Sequence, residues 1–326
     1  MRFYENIIDT IGSTPLIRLH RVLKDGTQPL VLAKAESFNP GGSAKDRIAK
    51  AMLLAAEQEG KIKQGGTVVE PTSGNTGVGL AIFAASRGYK TVFTMPEKMS
   101  KDKEFLLKAY GADVIRTPTN VPPEDERSYY KVAEKVARET PGAFVPNQFG
   151  NPNNPAAHFA TTGPEIWKDT DGEITHFVAG IGTGGTISGT ARYLKAKNPD
   201  IRIIGVDPEG SIYHHVFYGT EPESHPYKVE GTGEDFIPST VDLGIVDDII
   251  VVNDADAFRM TRRLAREEGI LVGGTAGASV FAAADVAQKL NKDDLLVVLL
   301  PDTGRNYLTT IFNDEWLKSN GFADVI

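Results

Sequence analysis

Short apolar runs alternate with amphipathic stretches along most of the chain. Runs rich in Val, Ile and Leu predict buried strands, and apolar residues at three- and four-residue spacing predict helices, several of them closed by a glycine. The predicted strands lie at 30–35, 66–70, 89–94, 113–116, 174–179, 201–206, 249–252, 270–272 and 295–300. The predicted helices include 44–59, 78–87, 101–110, 128–139 and 187–197. This alternation is typical of largely parallel sheets covered by helices on both faces.

Two joints rich in Gly, Pro and Asn interrupt the pattern, at 39–42 and within 149–155. Such joints favour domain boundaries over continued secondary structure. The sequence therefore predicts an α/β protein of two three-layer α/β/α domains. A large domain would be formed by residues 1–41 together with 151–326, and a smaller inserted domain by 42–150.

Composition narrows the function classes. The 326 residues are 40% hydrophobic, enough for a large core, and the net charge of −8 argues against a broad nucleic-acid surface. The chain has no cysteine, which excludes disulfides, a thiol nucleophile and cysteine-ligated metal. His214-His215 lacks a third ligand at a standard spacing, so we expect no metal. Without a signal-peptide pattern or a membrane-length apolar run, we expect a cytoplasmic protein with no membrane partner.

A glycine-rich loop, Gly182-Thr183-Gly184-Gly185-Thr186, precedes the helix predicted at 187–197. Glycine lets backbone N–H groups approach an anion, and the helix N-terminus adds a partial positive charge. A dinucleotide site uses the same physics, and Asp207 follows a predicted strand as its ribose-binding acid would. Ile187, however, occupies the third glycine position of that motif. This loop alone is consistent with phosphate binding, with a dinucleotide site and with a tight turn.

Lys45 stands in Pro40-Gly41-Gly42-Ser43-Ala44-Lys45-Asp46-Arg47, at the predicted start of a helix. Most lysines on helices are solvated. In a first turn, however, the helix field opposes a positive charge and favours the neutral amine that covalent chemistry with a carbonyl requires. That field is small, about 0.3 to 1 kcal/mol, so burial would have to supply most of any effect. A phosphate loop and such a lysine together suggest pyridoxal phosphate (PLP).

A second glycine-rich loop, Pro71-Thr72-Ser73-Gly74-Asn75-Thr76-Gly77, joins a predicted strand to a predicted helix. Its N–H groups and the hydroxyls of Thr72, Ser73 and Thr76 suit a carboxylate, and Asn75 can donate to an aromatic oxygen. A structural turn with a helix cap explains the same residues.

Four motifs occur in an order that resembles the cysteine synthase and cystathionine β-synthase family of PLP enzymes, fold type II, with the tryptophan synthase β-like fold. They are 40–47, 70–77, 182–186 and Gly273-Gly274-Thr275-Ala276-Gly277. The resemblance runs from about residue 7 to 322. It covers the catalytic core alone, without the haem segment or the regulatory domains of some members.

The resemblance implies a role for each motif. Lys45 would bind PLP covalently and act in catalysis, Asn75 would bond the ring hydroxyl, and Thr275 would offer its hydroxyl to the ring nitrogen. The phosphate would be held by Gly182, Thr183, Gly184, Gly185 and Thr186. The substrate carboxylate would be held by Thr72, Ser73, Gly74, Thr76 and Gln148. A homodimer is also implied.

Two segments favour the members that use homocysteine, namely 206–211 and 229–238. Within the second, Gly233-Glu234-Asp235 stands where cysteine synthases usually carry small residues. Glu234 and Asp235 would hold the amino group of a second amino acid or assist departure of the serine hydroxyl, although a solvated loop explains them too. The expected reaction is condensation of L-serine, or an activated serine, with L-homocysteine to L-cystathionine, a lyase step of transsulfuration and cysteine biosynthesis, with hydrogen sulfide production as a related activity. The alternatives are cysteine synthesis from O-acetylserine or O-phosphoserine and sulfide, and a catalytically silent PLP-fold protein.

Overall fold

The computed structural model describes residues 1, 3–72, 74–97, 99–119, 121–122 and 124–326. Within these residues, strands and α-helices alternate through most of the chain. The strands are β1 Leu16–Arg18, β2 Leu30–Ala35, β3 Thr67–Pro71, β4 Lys90–Pro96, β5 Asp113–Thr117, β6 Ala143–Phe144, β7 His176–Gly180, β8 Arg202–Pro208, β9 Asp248–Val252 and β10 Leu295–Leu300. The helices are α1 Lys45–Gln58, α2 Asn75–Arg87, α3 Lys101–Ala109, α4 Tyr129–Glu139, α5 Asn153–Ala160, α6 Thr162–Asp169, α7 Gly185–Lys197, α8 Tyr213–Tyr218, α9 Asp254–Arg263, α10 Gly274–Ala287 and α11 Asp314–Ser319.

The chain forms two compact units. The smaller unit contains Met1–Ile11 and Asn39–Asn154, and the larger unit contains Gly12–Phe38 and Pro155–Ile326. These limits lie within a few residues of the joints read from the sequence at 41 and 150. The first eleven residues, which the sequence led us to expect in the large domain, group with the smaller unit.

The smaller unit is built on a parallel sheet in the order β5-β4-β3-β6. Val68, Val69 and Phe93 of its central strands are fully buried. The unit's core also takes apolar residues from α1 and α2, among them Leu53 and Phe83. Successive side chains of β3 and β4 are buried on both faces of the strands, as expected of a parallel sheet covered on both sides.

The larger unit is built on a sheet in the order β1-β2-β10-β7-β8-β9, in which only β1 runs antiparallel to its neighbour. Alternate residues of β10 enter different cores: Val298 packs in a core with residues of α9 and α10, and Val297 in a core with residues of α6 and α7. Because successive side chains of a strand point to opposite faces, helices cover both faces of this sheet. The fold is therefore α/β with three layers.

The expected strand at 270–272 is wrong. Only Val272 makes an isolated bridge, to Thr303. The three apolar residues are confined between Gly269, which has φ of 71°, and the N-cap Gly273 of α10, which leaves too little chain for a ladder. Across the described part of the chain, no helix is long and apolar enough to cross a membrane.

Candidate active site

Lys45 is the first residue of α1, as the sequence indicated. Its backbone N–H donates to the hydroxyl oxygen of Ser43, at 3.2 Å. Asp46 accepts the N–H of Gly41, at 2.5 Å, so the Pro-Gly-Gly turn folds back onto the start of the helix. A Cβ on Gly41 would lie 2.5 Å from Asp46 Oδ1, which explains the glycine there. The turn therefore fixes the point at which Lys45 leaves the backbone.

The second glycine-rich loop ends at α2, whose first residue is Asn75. Thr72 and Thr76 are buried, and the Thr76 hydroxyl donates to Gln148 Oε1, at 2.6 Å. Ser73, also expected here, lies outside the described residues. The bond to Gln148 joins two segments that the sequence only suggested would meet.

Gly79 brings the starts of α1 and α2 together. A Cβ at this position would lie 3.0 Å from the carbonyl oxygen of Lys45 and 3.1 Å from Cα of Asp46. Because Gly79 has no side chain, the two backbones approach this closely without either having to shift. Lys45 and the Asn75 loop consequently lie side by side in the smaller unit.

Glu70, at the carboxyl end of β3, anchors the segment that carries Gln148. Its carboxylate accepts the backbone N–H groups of Asn147 and Gln148, at 3.0 and 3.1 Å. Burial raises the pKa of Glu70 to about 7, although these two N–H groups act in the opposite direction. A nearly buried carboxyl with two backbone donors is therefore part of the local frame of this site.

In the larger unit, the glycine loop connects β7 to α7 at the carboxyl end of the sheet, where α/β folds bind ligands. Gly184 has φ of 77°, and a Cβ there would lie 2.0 Å from Val241 Cγ2. A Cβ on Gly182 would lie 2.7 Å from the carbonyl oxygen of Gly231. The Thr240 hydroxyl holds the loop by donating to the carbonyl of Thr183, at 2.5 Å.

This loop fits a phosphate. Gly184, as the residue before the helix, has no side chain with which to cap the first N–H groups of α7. Those groups and the helix dipole favour an external anion. Gly185 and Thr186 form the first turn of the helix, so the Thr186 hydroxyl lies next to these donors.

The segment that carries Glu234 lies against the start of the glycine loop. The N–H of Gly233 donates to the carbonyl of Ile181, at 2.7 Å, and the hydroxyl of Tyr213 donates to the carbonyl of Gly182, at 2.6 Å. Ser211 accepts the N–H of Glu234, at 3.0 Å, and donates to its carbonyl, at 3.2 Å. Gly233 and Glu234 are thus held beside the loop, while Asp235 is exposed.

Buried polar groups surround Glu234. Burial raises the pKa of Tyr227 well above its ordinary value, and the charges of Glu234 and Asp207 raise it further. Burial also raises the pKa of Asp207 to about 6, against the effect of the His214 backbone N–H, which donates to its carboxylate at 2.9 Å. The negative charges of Glu234 and Asp207 would attract an ammonium group placed here.

Thr275 is in the first turn of α10 and is buried. Its hydroxyl donates to the carbonyl of Glu230, at 2.8 Å, and its methyl group lies 2.8 Å from where a Cβ on Gly180 would be. Thr275 therefore contacts both the segment leading to Glu234 and the end of β7.

The expected residues thus form two groups, one in each unit. Lys45, Thr72, Asn75, Thr76 and Gln148 lie in the smaller unit, and the loop 182–186, Gly233, Glu234 and Thr275 lie in the larger one. Sequence reasoning did not single out the supporting residues, which are Glu70, Ser211 and Tyr213. Among the described residues there is no cluster of three or more His, Cys, Asp or Glu that could hold a metal ion.

Comparison with known proteins defines the class. The model of the pyridoxal-phosphate dependent enzyme family matches residues 7–302, and the chain belongs to this family. The cystathionine beta-synthase of Dictyostelium discoideum is 47% identical over 325 residues, which are 98% of this chain and 64% of that protein. The cysteine synthase of Staphylococcus aureus is 48% identical over 307 residues, 94% of this chain and 96% of that protein.

A solved structure shares the fold at comparable similarity. The O-acetylserine dependent cystathionine beta-synthase from Helicobacter pylori has a TM-score of 0.86 and 40% identity, covering 95% of this chain and 99% of that one. The chain spans 64% of the length of the cystathionine beta-synthases of Dictyostelium discoideum and Apis mellifera.

Proposed function

We propose that this chain is a PLP-dependent β-replacement enzyme that condenses L-serine, or an activated serine, with L-homocysteine to give L-cystathionine. The position of Glu234 favours homocysteine as the second substrate. Glu234 follows Gly233, which is hydrogen-bonded to the residue before the glycine loop, and its own backbone is hydrogen-bonded to the Ser211 hydroxyl. An acid beside a phosphate loop suits a second substrate that brings its own ammonium group. Sulfide has no such group.

We assign the cofactor contacts as follows. Lys45 binds PLP covalently, and Asn75 donates to its ring hydroxyl. The phosphate accepts from the N–H groups and hydroxyls of residues 182–186, and the Thr275 hydroxyl turns its single hydrogen from the carbonyl of Glu230 to the ring nitrogen. A neutral hydroxyl at that nitrogen makes the ring a milder electron acceptor than a carboxylate would, which favours prompt loss of a β-substituent.

The substrate contacts complete the proposal. Thr72, Ser73, Gly74, Thr76 and Gln148 bind the carboxylate of the first amino acid. Bound PLP draws electrons from the substrate and makes its α-proton removable. The Lys45 amine, freed when the amino group of the first amino acid takes its place on the cofactor, accepts that proton. Its ammonium form then donates to the departing serine hydroxyl, which leaves as water. The homocysteine thiol gives its proton to the neutral Lys45 amine as its sulfur bonds to the β-carbon, and Lys45 passes that proton to Cα.

One alternative has its own support. The cysteine synthase of Staphylococcus aureus is 48% identical to the chain, and the alignment covers 96% of that protein. Synthesis of cysteine from O-acetylserine or O-phosphoserine and sulfide would use the same contacts with the first substrate. The two functions differ only in the leaving group and in the nucleophile.

Product identification separates the two functions. The PLP-loaded chain is incubated with serine plus homocysteine and, separately, with O-acetylserine plus sulfide, and the products are measured by mass spectrometry. We expect cystathionine from the first mixture. A protein that makes cysteine but no cystathionine would overturn the proposal in favour of cysteine synthesis, and a protein that makes neither would overturn both.

Replacing Glu234-Asp235 by Ala-Gly tests the acid pair directly. If these acids hold the ammonium group of homocysteine, the variant should lose roughly tenfold to a hundredfold in kcat/KM for homocysteine, because a charged hydrogen bond is removed. Its kcat/KM for sulfide, measured with the same first substrate, should change little. Equal losses with both nucleophiles would assign the pair to loop structure or to the first substrate.

Two broader expectations remain predictions. The family resemblance implies a homodimer, and we place the protein in the cytoplasm, where free serine and homocysteine would be its partners.

A further inference from the structure

A buried histidine lies directly behind the glycine loop. His158, in α5, has no exposed surface. Its Nε2 is 3.2 Å from the hydroxyl oxygen of Thr186, and its Nδ1 is 2.9 Å from the hydroxyl oxygen of Thr162. Both ring nitrogens are therefore engaged, and the ring cannot turn without breaking both contacts.

Helix packing holds this histidine in place. A Cβ on Gly189 of α7 would lie 2.1 Å from the carbonyl oxygen of Pro155 and 2.9 Å from Cβ of His158. The glycine therefore lets the backbone of α5 approach the first turns of α7. Phe159 and Tyr193 add an edge-to-face ring contact between the same helices, at 5.6 Å between centroids.

The direction of the hydrogen bonds follows from the chemistry of a phosphate. A phosphate dianion only accepts hydrogen bonds, so a hydroxyl that binds it must use its single hydrogen for that bond. The oxygen of Thr186 can then only accept from His158, which requires a hydrogen on Nε2. In a neutral ring Nδ1 is then an acceptor, and it takes the hydrogen of the Thr162 hydroxyl.

We propose that His158 is a positioning residue for the cofactor phosphate: its Nε2–H donates to Thr186 and so directs the Thr186 hydroxyl hydrogen into the loop. This inference rests on the proposed function, since it takes the phosphate of PLP as the anion. The segment 182–186 carries no basic side chain. Oriented dipoles of N–H groups and hydroxyls therefore supply its attraction for the anion.

Selectivity for the phosphate is the discriminating measurement. PLP and pyridoxal, which lacks the phosphate, are titrated into cofactor-depleted full-length protein, and covalent attachment contributes to both. His158→Leu should weaken PLP binding by roughly tenfold and leave pyridoxal binding unchanged, because it removes the hydrogen bond that directs the Thr186 hydroxyl towards the phosphate. His158→Gln, whose amide can donate, should retain most of the selectivity. The exposed His20→Leu serves as the matched control.

A double variant and a spectrum complete the test. Thr186→Val should reproduce the phenotype of His158→Leu, and the double variant should lose no more than either single one. In the wild-type protein loaded with PLP, ¹⁵N NMR of His158 should show the neutral Nε2–H tautomer. This spectrum needs no variant and does not depend on how well a variant folds.

Each contrary outcome is specific. An Nδ1–H tautomer or a doubly protonated ring would overturn the inference, as would equal losses for PLP and pyridoxal in His158→Leu, or no loss at all. A wild-type protein without any preference for PLP over pyridoxal would overturn the proposed cofactor contacts as well. If the wild-type protein prefers PLP over pyridoxal and His158→Leu keeps that preference, the inference about His158 is overturned but the proposed cofactor contacts are not.

Discussion

Glu70 is a buried carboxyl group whose hydrogen-bond partners are remote in sequence. Its carboxylate accepts the N–H groups of Asn147 and Gln148, which lie 77 and 78 positions further along the chain. One of them, Asn147, has φ of 53°, a conformation that few residues other than glycine adopt. The carboxylate therefore stabilises a strained turn next to Gln148, at the cost of burying a negative charge.

The raised pKa of Glu70 predicts a pH-dependent stability. Its folded-state pKa of about 7 exceeds its ordinary value of 4.5. Its contribution to the free energy of unfolding is therefore fully present below pH 4.5 and is lost as the pH rises to about 7. When the pH is raised from about 5 to about 8, the free energy of unfolding of the wild-type protein should fall by about 3 kcal/mol more than that of Glu70→Gln.

Urea unfolding at the two pH values measures this difference. Glu139→Gln, at an exposed position of α4, is the control and should follow the wild-type profile. Parallel pH profiles for Glu70→Gln and wild type would mean that Glu70 does not titrate in this range.

Lys45 gives the second prediction at the residue scale. Borohydride reduction of PLP-loaded protein followed by peptide mapping should label Lys45, and Lys45→Ala should lose the label and essentially all turnover. Lys50→Ala, in the same helix, is the control, because its amine already donates to the carbonyl of Ile8, at 2.9 Å. A label on any other lysine would refute the assignment of Lys45.

The sequence predicted those residues whose chemistry is read locally. Lys45 and Asn75 stand at helix starts after glycine-rich turns, and the loop at Gly182 precedes a helix, so their surroundings follow from neighbours in the chain. Glu70 and His158 could not be recognised in this way. Their roles depend on packing between segments far apart in sequence, as with the 28 positions that separate His158 from Thr186.

At the scale of elements, glycines on helix faces set the distances between helices. Gly79 lies against the backbone of α1, and Gly189 against that of α5. At Gly189 there is no space for a methyl group, and at Gly79 a methyl group would force the backbone of α1 to shift by a few tenths of an ångström. The starts of α1, α2 and α7 are therefore fixed by close packing.

Gly189→Ala should destabilise the protein by about 1 to 3 kcal/mol, because its Cβ would lie 2.1 Å from the Pro155 carbonyl oxygen. Gly244→Ala is the control: it is exposed, and its Cβ would meet only Asp242 Oδ1, at an ordinary 3.4 Å. Chemical denaturation of both variants measures the difference. Equal stabilities would show that the two helices can separate at little cost.

The strands that sequence reasoning missed are short. The strands β1 and β6 have three and two residues, too few for a periodic pattern to register. The strand expected at 270–272 has the right composition but no room to pair between its flanking glycines. Apolar composition predicts burial, whereas pairing also needs enough chain to reach a neighbouring strand.

At the scale of the whole molecule, the sequence indicated the layers but not the strand order. Alternating strands and helices predicted largely parallel sheets covered on both faces, and both sheets are largely parallel, with β1 as the antiparallel strand. The order of the larger sheet places β10 between β2 and β7, so strands from opposite ends of the chain are neighbours. No local pattern encodes this order, because every central strand is similarly apolar.

The expected homodimer provides the prediction for the whole molecule. Phe3, Tyr4 and Ile7 are each more than half exposed within one short segment, and such a patch favours contact with another protein surface. Light scattering should give twice the chain mass of 35.2 kDa. Replacing Phe3 and Ile7 by Ser should shift the equilibrium towards monomer, and Phe105→Ser, an exposed aromatic in α3, should not.

Salt dependence identifies the forces that hold the dimer. Each chain carries a net charge of −8, so two copies repel one another. Salt shortens the range of this repulsion from about 30 Å at 0.01 M to about 8 Å at 0.15 M. If the interface is apolar, the affinity between the two subunits should therefore stay the same or rise as salt is added. If the interface depends on ion pairs, that affinity should fall. A protein that is monomeric at micromolar concentration would refute the dimer, and a dimer that dissociates with salt would refute its apolar basis.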